Sequence, residues 1–374
     1  MISSKLQFNK GVQVLYSPFI HPEQGNIPIE YYVDIFNDMV QSVSFKIRDK
    51  PIYSNVNDGL SVSDFLTTIV QKNSFGDVFT HQLGFIEAIE RLYDISDNLS
   101  STHKRLKIFI SEFERIIEHS RWLSGLFANA NLFLSNEVKR FVLKLQKIFE
   151  QSTSIVGKNI ESCLSVGRIS CTWEEDYNNV LTDELIHLKE FYSLLREKIL
   201  FNSDLHNLLF AIGIMDTHQA SRFGTVGPIA RASGIVQDLR IDDPYWDYLS
   251  IKNLKTAISY DQDLYGLIKV ILNEISVSFD ILNQILAKNF SPKQENVLDQ
   301  IDMSQTGDFS VRLESSKGPT IYSVTCIENM IIKDFGLSAP TLTNIHSMQS
   351  RMKGVHINQF NRIIYAYNLV YFGL

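Results

Sequence analysis

GIMDTHQASRFGTVGPIARASGIVQDLRIDDPYWDY, running from Gly213 to Tyr248, joins two strongly periodic segments and has neither a helical nor a strand period of its own. Connections longer than about 15 residues without secondary structure are uncommon in compact domains and often functional. Gly224, Gly227, Ala230, Ala232, Ser233 and Gly234 are small and allow close backbone approach. Among them stand Arg222, Arg231, Asp238, Arg240, Asp242, Asp243 and Asp247, charges of both signs. The pattern predicts an internal ion-pair network, with Arg231 or Arg240 forked onto a carboxylate and Asp243-Pro244 enforcing an extended entry. The competing reading of the same composition is a solvated, structurally braced loop.

Outward from this loop the apolar residues recur at helical spacing. Leu185, Leu188, Phe191, Tyr192, Leu195 and Ile199 precede it, opened by Thr182 as N-cap with Asp183 and Glu184 in the first turn. Leu267, Ile268, Ile271, Leu272, Ile275, Phe279, Leu282 and Ile285 follow it within Asp263 to Ala287. Two further amphipathic helices are expected over Lys104 to Ser120 and over Val138 to Phe149, the latter with Ser135 as N-cap. Four apolar stripes bury most simply against one another as a bundle. Toward the N-terminus, Tyr31, Val33, Ile35 and then Val43, Phe45, Ile47 alternate with more polar neighbours, predicting a hairpin turned at Asn37-Asp38. A second small β region is expected from Phe309, Val311, Leu313 and Tyr322, Val324, Cys326, then a helix from about Thr341 to Arg351 behind Pro340.

Composition bounds the function. The chain has 374 residues, 44% hydrophobic and 21% charged, enough for a sizeable core in two or three regions. Its 35 Lys plus Arg against 42 Asp plus Glu give a formal charge of -7, without a basic block to track phosphates, so nucleic acid is not an expected partner. Three cysteines, Cys163, Cys171 and Cys326, are too few and too scattered for a disulfide framework, which favours a reducing compartment. Met1 to Leu15 carries no secretory signal pattern, and no apolar run reaches the about 20 residues of a spanning helix. Ser154 to Asn159 has the Gly-Lys of a phosphate loop but lacks its first Gly and its magnesium-binding hydroxyl. Gly224 and Gly227 lack the other glycines of a dinucleotide fingerprint, and the 9 histidines include no i, i+4 pair for zinc.

Gly227-Pro228-Ile229-Ala230-Arg231-Ala232-Ser233-Gly234, followed by Asp238-Leu239-Arg240, Asp243-Pro244-Tyr245 and Tyr248, resembles the hallmark segment of one family. That family comprises the large subunit of energy-converting nickel-iron hydrogenases and the homologous quinone-site subunit of respiratory complex I. The resemblance extends to His21-Pro22, to His81-Gln82-Leu83 with Ala88 to Leu92, and to Glu112 to His119. It continues through Asp263-Leu264-Tyr265, Glu274, Glu314-Ser315-Ser316-Lys317-Gly318 and Ala339 to Asn344. It implies an α+β fold, a central antiparallel helical bundle (residues 76–300) flanked by an N-terminal β/α region (1–75) and a C-terminal α/β region (301–374), each with a small β portion. It also implies a large subunit that packs on an iron-sulfur small subunit and on membrane-arm subunits. The chain would then be cytoplasmic, peripheral on the inner face of the cell membrane and in contact with it only through partners.

The resemblance also fixes where this chain departs from the family. Hydrogenases hold nickel and iron with two Cys-x-x-Cys pairs; counting back from His81, the upstream pair falls on Ser74 and Asp77, and the C-terminal run Tyr367 to Leu374 has no cysteine. Hydroxyl and carboxylate do not replace soft thiolates, so no metal and no cofactor of its own is expected on this chain. The quinone-binding tyrosine of complex I falls close to Phe75, and the hairpin histidine near His21. The resemblance therefore gives His21, Ser74, Phe75, Asp77 and His81 as cavity or quinone-site candidates, with His21 and Phe75 facing one cavity if quinone binds. It gives Arg231, Asp238, Arg240, Asp243, Tyr245, Glu314 and Lys317 as a structural network, Lys317 standing where hydrogenases usually have Arg. An iron-sulfur cluster is expected on the partner. The alternative is a degenerate, non-catalytic paralogue with a scaffolding or regulatory role.

Overall fold

Alternation at Tyr31, Val33 and Ile35 puts one face of a strand inward, and Tyr31 and Val33 are buried. A computed structural model describes residues 8–9, 12–16, 20–21, 25–26, 29–47, 59–71, 74, 76–128, 130–155, 159–174, 176–287 and 290–367. At the N-terminus, β1 (Phe8–Asn9), β2 (Val12–Tyr16), β5 (Ile29–Phe36) and β6 (Met39–Ile47) form an antiparallel sheet in that order. A two-stranded ribbon pairs β3 (Ile20–His21) with β4 (Gly25–Asn26). The β5–β6 hairpin turns at Asn37 and Asp38, both left-handed at φ 48° and 61°. Asn and Asp tolerate that conformation through local side-chain hydrogen bonding, so the turn forms without glycine.

Helices dominate the middle of the chain: α1 (Val78–Leu92), α2 (Ser101–Phe127), α3 (Leu132–Thr153), α4 (Tyr177–Leu200) and, after the long connection, α9 (Leu264–Leu286). The α2 helix packs on α3 and α9, and α4 packs on the same two, so each apolar stripe meets two neighbours. Phe113 of α2 meets Phe149 of α3, and Phe141 of α3 meets Tyr192 of α4 and Phe279 of α9. Two helix starts differ from expectation. The α3 cap is Asn131, whose side chain accepts from Leu134 N, while Ser135 is spent on a hydrogen bond to Ser124 O. The α4 helix begins at Tyr177, and Thr182 lies inside it, its hydroxyl donating to Asn178 O. Asp263 does cap α9, accepting from Gly266 N.

The connection from Gly213 to Tyr248 is not free of secondary structure. After α5 (Ser203–Leu209), which lies just before it, the chain winds through α6 (Thr217–Arg222), α7 (Gly227–Arg231), α8 (Leu239–Asp242) and a 3-10 turn at Tyr248–Ser250. Each piece is too short to show a hydrophobic period, and each is held by tertiary contacts instead. Between α3 and α4 lies a small hairpin of β7 (Leu164–Ser165) and β8 (Arg168–Ile169), joined by β9 (Glu295–Asn296). Contrary to their scatter in sequence, Cys163 and Cys171 meet across this hairpin.

The C-terminal sheet has three strands, β10 (Gly307–Ser315), β11 (Gly318–Ile327) and β12 (Ile331–Ser338), followed by α10 (Pro340–Met352) and α11 (Ile357–Tyr367). The α1 helix packs on β10 and β11, and α10 packs on β6. Strand β12 was not expected, because a bulge at Thr325/Cys326 and half-buried residues on both faces blur its alternation. Among the described residues no helix is long and apolar enough to cross a membrane.

Candidate functional site

The β10–β11 turn is the floor of the site. Ser315-Ser316-Lys317-Gly318 carries the sheet directly beneath the start of α7. Gly227, at φ +67°, lies so close to this turn that a Cβ added there would stand 2.0 Å from the Lys317 carbonyl oxygen. Gly318 faces it across the same contact. Two backbones touch where any side chain would separate them. Asn344 of α10 fixes the same point from the other side, accepting from Val226 N at 2.9 Å and donating to Val226 O at 3.2 Å.

Beside this junction lies a small cleft, partly open to solvent. Its apolar walls are Trp122 of α2, Pro228 and Ile229 of α7, Leu267 and Ile271 of α9, Pro340, Ala366 and the ring of Tyr367. His119, Ser316, Lys317, Thr341 and Asn344 supply the polar groups. Few polar groups in an apolar hollow is the usual composition of a small-molecule site.

Lys317 is held by Asp77, immediately before α1, with Nζ 2.9 Å from Oδ2. The Ser316 hydroxyl and amide donate to the same carboxylate at 2.8 and 3.2 Å. Burial pushes the Asp77 carboxyl up, but the Lys317 charge and these hydrogen bonds outweigh it and hold it well below the usual carboxylate range. Burial likewise opposes the Lys317 charge, yet Asp77 and Glu118 raise it above the ordinary lysine value, so the pair is ionised. Glu114 behaves oppositely: burial, with Asp77 and Glu118 adding repulsion, lifts it to about 8.

Behind the cleft the loop is braced by buried ions. Arg231 sits with Nε 2.9 Å from Glu274 Oε1 and donates through Nη1 to Glu314 Oε1 at 2.9 Å. Glu274 Oε2 meets His119 Nε2 at 2.8 Å, which links the network to the cleft wall. Burial opposes ionisation of Glu274, but Arg231 and His119 overcome it and leave its carboxyl at about 2. Arg240 forks onto Asp238, Nε to Oδ1 at 3.0 Å and Nη2 to Oδ2 at 2.7 Å, and its Nη1 reaches Glu112 at 3.1 Å. Glu112 also accepts from Tyr248 and Ser278 hydroxyls, each at 2.6 Å. Arg115 donates to the carbonyls of Ser315 and Glu314, at 2.6 and 2.5 Å. Tyr245 accepts from Glu314 N at 3.0 Å.

The expected residues thus separate. Asp77 and Lys317 meet at the cleft, and Arg231, Asp238, Arg240, Tyr245 and Glu314 meet behind it. Asp243 departs from the expected network: it is exposed and pairs with Arg312 at 2.6 Å on the surface. Ser74 is buried, but its hydroxyl is spent on Val70 O, to which it donates at 2.6 Å. His81 shares a hydrogen bond with the Tyr322 hydroxyl at 2.9 Å. His21 lies in β3, and nothing is described of its side chain; Phe75 lies outside the described residues. Glu112, Arg115, His119, Glu274, Ser278 and Asn344, from α2, α9 and α10, complete the constellation; the resemblance runs through all of them but Ser278 without giving them a role.

His81 gives the site a pH signature. Burial, partly offset by Asp77, lowers its imidazole from 6.5 to about 4. Between those values the unfolded chain binds a proton that the folded chain refuses, so stability falls as pH drops from 6.5 toward 4. Urea midpoints followed over this range should decline more steeply for the wild type than for His81→Gln, by on the order of 1 kcal/mol per unit of displacement. Parallel profiles would contradict the assignment.

Residues 146–373 match the family model of the respiratory-chain NADH dehydrogenase 49 Kd subunit. A subunit of the NADH-quinone oxidoreductase of Clostridium beijerinckii is 23% identical over 245 residues, 65% of this chain and 65% of that protein. Its counterpart from Salinispora arenicola is 25% identical over 280 residues, 72% of this chain and 66% of its own length. The alpha subunit of the membrane-bound hydrogenase of Pyrococcus furiosus is 22% identical over 260 residues, 66% of this chain and 60% of that protein. The chain therefore spans less than two thirds of each of these relatives.

Proposed function

The chain belongs to the family of the 49 kDa subunit of respiratory-chain NADH dehydrogenase, and from that premise we propose that it is the large subunit of a membrane-associated oxidoreductase complex that works without a nickel-iron centre. It packs on an iron-sulfur small subunit, reaches the membrane through membrane-arm partners, and takes a quinone head group in the cleft. The relatives' names, NADH-quinone oxidoreductase and membrane-bound hydrogenase, support membership of such a complex. The observation that carries the metal-free reading is the Asp77–Lys317 ion pair, at the position where the resemblance would put a thiolate. The cleft's polar groups are imidazole, ammonium, hydroxyl and amide, whereas Cys163 and Cys171 sit in the β7–β8 hairpin and Cys326 in β11. That donor set does not fit nickel and iron.

In this reading the apolar walls would exclude water from a planar ring, and the Lys317 ammonium would stabilise the negative charge that a carbonyl oxygen gains on reduction. His119, held by Glu274, is the group placed to hand over a proton, while Lys317 keeps its charge. Lys317→Met should lower quinone reduction by the purified complex about a hundredfold, and Lys317→Arg should restore part of it. Turnover untouched by Lys317→Met, or purification without an iron-sulfur partner, would overturn the proposal. The scaffolding alternative draws support from the same ion pair, since Asp77 already neutralises Lys317. A complex that carries its iron-sulfur subunit but shows no quinone turnover selects that alternative.

A further inference from the structure

Outside the cleft, the β7–β8 hairpin places two thiols in contact. Cys163 precedes β7 and Cys171 follows β8, eight positions apart, with Sγ atoms 2.9 Å from each other. The ladder pairs Leu164 with Ile169 and Ser165 with Arg168, so a regular continuation would put Ser170, not Cys171, opposite Cys163. Instead the Cys163 carbonyl accepts from both Ser170 N at 2.8 Å and Cys171 N at 3.3 Å. This shared acceptor shifts the strand by one residue and turns Cys171 onto the same side as Cys163. Both are buried, Cys163 fully and Cys171 at 6% exposure. Cys326, in β11, is also a buried free thiol.

From this geometry we infer that Cys163 and Cys171 are a modification site, closing to a reversible intrachain disulfide when a small peroxide oxidises them. Cys171 is the nucleophile: it is the more exposed sulfur, and the hydrogen bond from Cys163 lowers it below the ordinary thiol value while raising Cys163. Its thiolate attacks one peroxide oxygen, the O–O bond breaks, and the departing hydroxide takes up a proton to become water. Cys163 sulfur then attacks the Cys171 sulfenic acid, the S–O bond breaks, and a second water leaves with the Cys163 proton. Two thiols and one peroxide become one disulfide and two waters. The bond would pin the hairpin whose turn residue Gly167 donates its N–H to Glu90 at 3.0 Å and accepts from Val297 N at 3.0 Å. The inference is independent of the quinone reading.

Peptide mapping of the folded full-length chain tests it. Trypsin cuts after Arg168, between the two cysteines, so the peptides 159–168 and 169–189 stay joined only through the disulfide. Treatment with hydrogen peroxide, alkylation and non-reducing digestion should yield the linked pair, which dithiothreitol separates. Linkage should form about tenfold faster in the folded chain than in urea, because the fold holds the sulfurs together. The oxidised chain should melt higher than the reduced one, a difference absent in Cys171→Ser. Equal rates folded and unfolded, linkage through Cys326, or thiols at 163 and 171 that survive peroxide would overturn the inference, whether or not the serine variant folds.

Discussion

Arg231→Ala should cost about 3–5 kcal/mol of folding stability. Arg231 is fully buried and serves two carboxylates, Glu274 and Glu314, which are themselves buried. Removing it leaves both anions without their cation in low dielectric, and the desolvation penalty they already bear is no longer offset. The damage should also reach the cleft, because Glu274 holds His119. Urea denaturation reads the effect; a midpoint unchanged by the substitution would show that the two carboxylates do not depend on Arg231. A double variant, Arg231→Met with Glu274→Gln, should recover part of the loss, since it removes an anion along with its cation.

Gly227→Ala should be nearly as severe, at least about 3 kcal/mol, for a reason of shape rather than charge. Its φ of +67° strains any side chain, and a Cβ would stand 2.0 Å from the Lys317 carbonyl, a backbone atom that cannot swing away. Separating the two segments would also move Lys317 relative to Asp77, so activity should fall along with stability. Gly224 provides the control. It has nearly the same φ, +62°, but nothing lies within 4 Å of its Cβ position, so Gly224→Ala should cost only the conformational strain, about 1–2 kcal/mol. Equal effects from the two substitutions would refute the close-contact account.

How much of this was legible depends on the range of the interactions. The β5–β6 hairpin could be read because alternation and turn chemistry are local, and Asn37-Asp38 carry both φ > 0 positions themselves. The long helices could be read because their apolar stripes are continuous, but two of their starts could not. Ser135 and Thr182 are capping residue types used inside helices, and nothing local distinguishes them from Asn131. The charges of the Gly213 to Tyr248 loop announced a network, and the Arg240–Asp238 fork, two residues apart, was within reach of sequence. Its long-range partners were reached only through the resemblance, which put Glu314, 83 positions from Arg231, in the network and gave Glu112, 128 positions from Arg240, no role. Cys163 and Cys171 meet only because of a one-residue shift in a two-residue ladder, which no spacing rule encodes. The short helices α6 to α8 were invisible because tertiary contacts, not periodicity, hold them.

The Asp77 carboxylate grips Lys317 at the position where the resemblance would put a thiolate, which is why no nickel-iron centre is proposed. Elemental analysis of the complex purified from its native source tests this most directly. Nickel should be at background level per copy of this chain, with all iron accounted for by clusters on the partner. One nickel per chain, retained after the partner is stripped away, would contradict the account.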